Sequence, residues 1–243
     1  TIQNVFTKWV KDRPEFQKAQ EKAQILTFFS TKGGVGKTAL ATNLALSLAT
    51  KGKKTLLVDC SLQFGDVAIT LNAKSGKNVY NIVEKDDLSI SNIERNLTPH
   101  QGVPDLKLLL APLEPAYAEA VKPQHFKTIL DNLSSSFNFI VIDTAAHISE
   151  LELAIFDRTD MLFLVATLEI SSLKNTKICL KTLGDIKFDT EKIKLILNKD
   201  IPNVGIDSKG IEEGLKRPIF AVVPMDSETA QLSLNQGEPF VLK

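Results

Sequence analysis

The chain has 243 residues and is poor in cysteine, in net charge and in long apolar runs. Its two cysteines, Cys60 and Cys179, lie far apart and form no C-x-x-C pair, which argues against a zinc or iron–sulfur site and is typical of a reducing compartment. The 29 basic and 29 acidic residues are interleaved, so the sequence lacks the basic block of a dedicated nucleic-acid binder. We therefore do not expect nucleic acid to be a principal partner.

Membrane-crossing segments are also missing from the sequence pattern. No apolar stretch approaches the roughly 18 residues that a spanning helix needs, and residues 1–16 lack the apolar core of a signal peptide. The sequence therefore predicts a cytoplasmic protein without a membrane span.

Apolar strand patterns alternate with helical patterns nearly to the end of the chain. This alternation predicts an α/β fold with a mostly parallel central sheet over residues 24–243. The predicted strands are Ile25–Phe29, Lys54–Val58, Phe137–Asp143, Met161–Val165, Lys194–Leu197 and Ile219–Val223.

Residues 1–23 differ from the rest and are predicted to be a linker or an appended N-terminal helix. They are polar, but Val5, Phe6, Trp9 and Val10 fall on one face of a helix. We expect that apolar face to be buried against another surface, which would be the flank of the 24–243 domain, a partner or an upstream domain.

The most informative segment is residues 32–38, KGGVGKT, which follows a predicted strand and opens a predicted helix. Glycines permit backbone conformations that aim several N–H groups at phosphate oxygens, and the helix N-terminus favours the same anion. Lys37 would reach the β- and γ-phosphates, and the Thr38 hydroxyl would bind Mg²⁺. The predicted nucleotide-binding residues of this loop are Gly33, Gly34, Val35, Gly36, Lys37, Thr38 and Ala39.

A dinucleotide site is the competing interpretation of this loop. Gly34, Gly36 and Ala39 also satisfy the G-x-G-x-x-A spacing, and Asp59 ends the next strand, where a ribose-binding acid is found in such folds. A dinucleotide turn has no use for consecutive Lys37 and Thr38, so triphosphate binding is favoured.

Two acids end predicted strands. Asp59 and Asp143 each follow a continuous apolar run, and the carboxyl ends of parallel strands face one edge of a sheet. Hard cations prefer carboxylate and water oxygens, so Thr38, Asp59 and Asp143 are the predicted Mg²⁺ residues.

An extra lysine distinguishes this loop from the ordinary phosphate loop, which has glycine where this chain has Thr31 and which lacks Lys32. In this respect the chain resembles the MinD/ParA family of ATPases. The resemblance implies a three-layer P-loop NTPase fold, ATP and Mg²⁺ as cofactors, and an ATP-bound homodimer in which Lys32 reaches the partner's nucleotide. It further implies catalytic roles for Lys32, Lys37 and Asp59 and adenine contacts from Asn198, Pro224 and Asp226.

One position departs from the family pattern. The family has a D-x-D sequence whose second carboxylate orients the attacking water, but this chain has Ser61 at that position. Asp66 would replace it only if the intervening turn brings Asp66 back to the site. Because loss of a positioned proton acceptor costs about 10²–10⁴ in rate, we expect ATP binding with weak or impaired hydrolysis.

Finer segments resemble the CpaE/TadZ branch of the family, namely Leu62–Asp66, Leu110–Pro112, Leu153–Asp160 and Asn235–Pro239. That resemblance implies localisation or assembly of a Tad/Flp type IV pilus or secretion machinery, with its proteins as partners. It also implies a receiver-like upstream domain and recruitment to a cell pole or the inner membrane through partners. The alternatives are a MinD-like ATPase that places the division site and a nucleotide-bound scaffold without hydrolysis.

Overall fold

The computed structural model describes residues 2–17, 21–201 and 208–242. Within these residues eight strands form one sheet: β1 Gln24–Phe29, β2 Thr55–Cys60, β3 Thr98–Pro99, β4 Leu106–Leu109, β5 Phe139–Thr144, β6 Met161–Ala166, β7 Ile193–Asp200 and β8 Ile219–Pro224. The α-helices are α1 Gln3–Asp12, α2 Lys37–Ala49, α3 Val67–Thr70, α4 Val79–Val83, α5 Ile90–Arg95, α6 Pro123–Leu133, α7 Glu150–Phe156, α8 Ile170–Asp185, α9 Ser208–Leu215 and α10 Ser227–Gln236. Short 3₁₀ helices cover Pro14–Phe16, Pro115–Ala120, Thr190–Lys192 and Phe240–Leu242.

The sheet has the order β3-β4-β2-β5-β1-β6-β7-β8. Neighbouring strands run parallel except β3 and β4, which are antiparallel. The predicted α/β fold with a mostly parallel sheet is therefore confirmed, and β1 and β5 lie at its centre.

Helices cover both faces of this sheet. On β1, Leu26 and Phe28 pack into the core that contains α2, whereas on β5 Ile140 and Ile142 pack into the core that contains α6. Successive side chains point to opposite faces, so a strand that is buried on both sides has no polar face. This is why the central strands appear in the sequence as continuous apolar runs.

The edge next to β2 was not among the predicted strands. There β4 pairs with β2 in parallel, with Leu108 opposite Leu57, and the two-residue β3 pairs with β4. A four-residue run such as LKLL is too short to indicate a strand rather than another buried segment by periodicity alone.

The apolar face of α1 is buried on the flank of this same domain. Phe6 and Trp9 lie in the core with α2, and the Phe6 ring centroid is 4.9 Å from that of Trp9 and 6.0 Å from that of Phe240. Arg13 anchors the end of the helix, because its Nη2 donates to the Phe220 carbonyl oxygen of β8 at 2.7 Å. Residues 1 and 18–20 of the predicted linker lie outside the described residues, and the division at residue 23 stays a prediction.

Both cysteines are buried and unpaired. Across the described ranges, which omit residues 1, 18–20, 202–207 and 243, no helix combines the length and the apolarity needed to cross a membrane.

Truncation of Phe6 should test how firmly α1 belongs to the domain. Phe6 is fully buried, and removal of a buried aromatic ring typically costs 3–5 kcal/mol, so Phe6→Ala should lower the free energy of unfolding in urea by about that amount. The matched control is Phe64→Ala, because Phe64 is 77% exposed and its loss should change the free energy by no more than about 0.5 kcal/mol. Equal unfolding curves for the two variants would mean that α1 is not packed on the core.

Candidate functional site

A cavity of about 1100 Å³ opens at the carboxyl end of the sheet. Its walls come from the segments that follow β1, β2, β5, β7 and β8, which is where ligands bind in open α/β sheets. The predicted site residues that line it are Gly33, Gly34, Gly36, Lys37, Thr38, Ala39, Asn198, Pro224 and Asp226. Val35, the remaining predicted residue of the glycine loop, is buried and does not line the cavity.

The glycine loop is held from the end of β7. Asn198 Nδ2 donates to the Val35 carbonyl oxygen at 2.7 Å, and Lys199 Nζ donates to the Gly34 carbonyl oxygen at 2.8 Å. In a trans peptide the C=O and the next N–H point in opposite directions, so these bonds turn the N–H groups of Val35 and Gly36 away from β7. Gly36 has a φ of 95°, and a Cβ at this position would collide with Asn198 Nδ2. Only glycine fits here.

The three predicted Mg²⁺ residues are brought together. Thr38 Oγ1 donates to Asp143 Oδ2 at 2.6 Å, and Asp143 lies opposite Asp59 in the register of β5 and β2. The second oxygen of Asp143, Oδ1, is buried and has no hydrogen-bond partner among the described residues. A buried carboxylate oxygen without a donor is costly, and a cation would relieve that cost.

The two acids are electrostatically coupled. Burial raises the pKa of Asp59, and the Asp143 carboxylate raises it further, while N–H groups of Val67 and Ser61 partly oppose the shift. Burial also raises the pKa of Asp143, with Lys37 and the Thr38 hydroxyl bond acting in the opposite direction. Two neighbouring carboxylates out of water resist ionisation unless positive charge is brought in, which is what a divalent cation supplies.

The loop after β2 wraps around Asp59. Ser61 N–H donates to Asp59 Oδ1 and Val67 N–H to Oδ2, both at 3.1 Å. Gly65 lies so close that a Cβ there would collide with Asp59 Oδ2 and with Ala111 Cβ. The Ser61 hydroxyl donates to the Phe64 carbonyl oxygen at 3.3 Å.

Lys32 lies beside the cavity. Its ammonium group forms a salt bridge with Glu169, the residue before α8, and lies 3.3 Å from Ser171 Oγ. Glu169 and Lys199 also adjoin the loop and were not predicted from the sequence. Both lie at or just after the carboxyl end of a parallel strand, which is the edge of the sheet where Asp59 and Asp143 were expected and are found.

The residues predicted to contact adenine share this cavity. Asn198 is buried and bonded to the glycine loop, so its amide nitrogen supports that loop directly. Asp226 Oδ1 accepts from Thr229 N–H at 3.0 Å and caps α10. Pro224 and Met225 are exposed at the cavity wall. Contact of these residues with a base stays a prediction.

Known proteins resemble this chain in sequence and in fold. The family model described as an AAA domain (AAA_31) matches residues 23–197. The septum site-determining protein MinD of Thermotoga maritima is 29% identical over 223 residues, which are 90% of this chain and 81% of that protein.

Solved structures include a ParA family ATPase from Chlorobium tepidum TLS, which is 26% identical with a TM-score of 0.83 over 90% of this chain and 92% of that chain. The septum site-determining protein MinD from Pyrococcus horikoshii OT3, complexed with Mg-ADP, shares the fold with a TM-score of 0.79 at 22% identity, over 90% of this chain and 88% of that chain.

These relatives bear on which branch of the family the chain resembles. They are MinD and ParA proteins, so they do not support the narrower assignment to the CpaE/TadZ branch. The family match covers most of the chain and includes the glycine loop, Asp59 and Asp143. The chain therefore belongs to the MinD/ParA family of P-loop ATPases.

Proposed function

We propose that this protein binds Mg-ATP, dimerises when ATP is bound, and uses that dimer to place a larger protein assembly in the cell, as the name of the septum site-determining MinD relatives suggests. The observation that carries the proposal is the Thr38–Asp143 contact at the start of α2, with an oxygen of Asp143 beside it that has no partner among the described residues. The glycine loop, Lys37 and Thr38 line the cavity, and Thr38 joins them to the buried pair of acids through Asp143.

The donor set fits Mg²⁺. This ion takes hard oxygen ligands and usually keeps several waters, relying on substrate phosphates for the remainder. In the described part of the chain no three His, Cys, Asp or Glu side chains are grouped so that they could hold a metal by themselves. Thr38 and Asp143 would hold Mg²⁺ together with the nucleotide, and Asp59 would bind a water of its shell. When bound, the ion neutralises charge on the phosphate oxygens.

The phosphate groups would be bound by the loop backbone and Lys37. N–H groups at the start of α2 have no partner within the helix, so they are available to phosphate oxygens. Lys37 adds a positive charge that also acts on Asp143. Ser61 itself would contribute little to hydrolysis, because its hydroxyl is uncharged and already donates to a backbone carbonyl.

Dimerisation would depend on Lys32. Here Lys32 forms a salt bridge with Glu169 of the same chain. The two side chains are 38% and 61% exposed, so the pair lies at the surface. In the dimer Lys32 would exchange Glu169 for the other subunit's phosphates. If the dimer binds ATP 100-fold more tightly than the monomer does, the equilibrium shifts by about 2.7 kcal/mol per site.

The pilus interpretation rests on the resemblance of segments such as Leu62–Asp66 to CpaE/TadZ. The structure gives that segment a local reason, since Gly65 is required by its contact with Asp59. We therefore favour the MinD-like role. Imaging of a fluorescently tagged chain in its own cells discriminates between the MinD-like role and the pilus role. A distribution that follows the septum would support division-site placement, and foci at pilus bases would contradict it.

Lys37→Ala should remove most of the affinity for Mg-ATP. Hydrogen bonds to charged groups contribute about 1.5–3 kcal/mol, so isothermal titration calorimetry should show a Kd raised about 10- to 150-fold. Lys51→Ala is the matched control, because Lys51 is exposed just beyond the far end of the same helix. Unchanged affinity in Lys37→Ala would refute the phosphate-loop assignment.

Lys32→Ala should separate binding from dimerisation. The monomer should retain Mg-ATP affinity within a few-fold, whereas ATP-dependent doubling of the molar mass in light scattering should disappear. Lys181→Ala, an exposed lysine of α8 outside the cavity, should dimerise normally. A normal Lys32→Ala dimer would contradict the assigned role of this lysine.

A further inference from the structure

We propose that Asp66 is the water-positioning residue of the ATPase site and supplies the carboxylate that Ser61 lacks. This inference rests on the proposed Mg-ATP site.

The backbone on both sides of Asp66 is fixed against Asp59. Val67 N–H donates to Asp59 Oδ2, and Gly65 is packed so closely on the same oxygen that no Cβ could be accommodated. The turn from Ser61 therefore brings Asp66 back toward the acid pair. Positioning of this kind holds a group in place before the reaction, as efficient catalysis requires.

Asp66 lines the cavity and does not cap the helix that follows it. Asp66 precedes α3, where an aspartate commonly caps the helix, yet its side chain makes no capping hydrogen bond. Asp66 is exposed and lines the cavity together with Lys37 and Thr38. The loop thus places an acidic residue in the wall of the space that the phosphates would occupy.

Asp66 lies near the two predicted metal-binding acids. Its charge makes a small contribution to raising the pKa of both Asp59 and Asp143, so its carboxylate is close enough to act on both. A carboxylate near this pair and in the wall of the cavity can accept a hydrogen bond from a water next to the γ-phosphate.

Gln63 is the rival within the same loop, since a glutamine can also orient a water. Gln63 and Asp66 are both exposed and both line the cavity. Gln63 lies within the Ser61–Phe64 turn, whereas Asp66 lies between Gly65 and Val67, which both contact Asp59 Oδ2, and only Asp66 carries a charge that can accept a proton. The geometry therefore favours Asp66.

The step assigned to Asp66 is hydrolysis of the terminal phosphoanhydride. The water oxygen forms a bond to the γ-phosphorus while the bond from that phosphorus to the β,γ-bridging oxygen breaks. ADP leaves with the electron pair, and the water proton, held by the Asp66 carboxylate during attack, ends on inorganic phosphate. No redox co-reactant is needed.

The test compares Asp66→Asn with Ser61→Ala and Gln63→Ala in the full chain. Phosphate release by Asp66→Asn should show kcat lowered about 100-fold or more with KM changed little, as expected for loss of a proton acceptor. The second measurement needs no turnover: the unmodified chain should retain ADP with magnesium and tetrafluoroaluminate on gel filtration, and Asp66→Asn should not. Both control variants should behave like the unmodified chain, and all four proteins should bind Mg-ATP in calorimetry.

Three results would overturn the inference: an unchanged kcat and retained tetrafluoroaluminate complex in Asp66→Asn, a large loss of Mg-ATP affinity in that variant, or a larger kcat loss in Gln63→Ala. An unmodified chain that binds Mg-ATP but never hydrolyses it would also overturn this inference while leaving the proposed function intact. Failure of the unmodified chain to bind Mg-ATP would instead refute the proposed function.

Discussion

Two carboxylates buried side by side at the ends of β2 and β5 set the requirements for the rest of the site. Asp59 and Asp143 are each 1% exposed, and burial of like charges is unfavourable unless donors or cations offset it. The loop after β2 supplies two N–H groups to Asp59, and Thr38 supplies a hydroxyl to Asp143. One oxygen of Asp143 has no donor among the described residues, so a cation with its polyanionic ligand would complete the electrostatics of the pair.

Contacts between distant parts of the chain give the cavity its shape. The glycine loop follows β1, but its shape is fixed by Asn198 and Lys199 at the end of β7, which are 163 and 165 residues from their acceptors. Gly36 approaches Asn198 too closely for any side chain, and Gly65 approaches Asp59 in the same way. Both glycines therefore allow the backbone to lie directly against a polar side chain near the carboxyl end of a strand, β7 for Gly36 and β2 for Gly65.

The sequence predicts what depends on local pattern. Strands buried on both faces are continuous apolar runs, so the central strands and the places of Asp59 and Asp143 at their carboxyl ends were predicted correctly. Thr38 contacts Asp143 there, and the roles of these residues toward Mg²⁺ stay predictions. The partners of the loop could not be located so directly, because the salt bridge between Lys32 and Glu169 spans 137 residues and leaves no periodic signal. The short strand β4 was missed since four residues carry too little pattern.

Lys32 shows how such a long-range contact would serve the switch. Exposed ion pairs contribute little to stability because water and salt screen them, and the Glu169 side chain is 61% exposed. Release of Lys32 from Glu169 would therefore cost little compared with the roughly 2.7 kcal/mol per site that a 100-fold differential affinity for ATP would supply in the proposed dimer. A buried partner would have held the lysine too firmly, whereas an absent partner would have left its charge free to repel a second copy. With only a weak surface partner for Lys32, nucleotide binding would determine the monomer–dimer equilibrium.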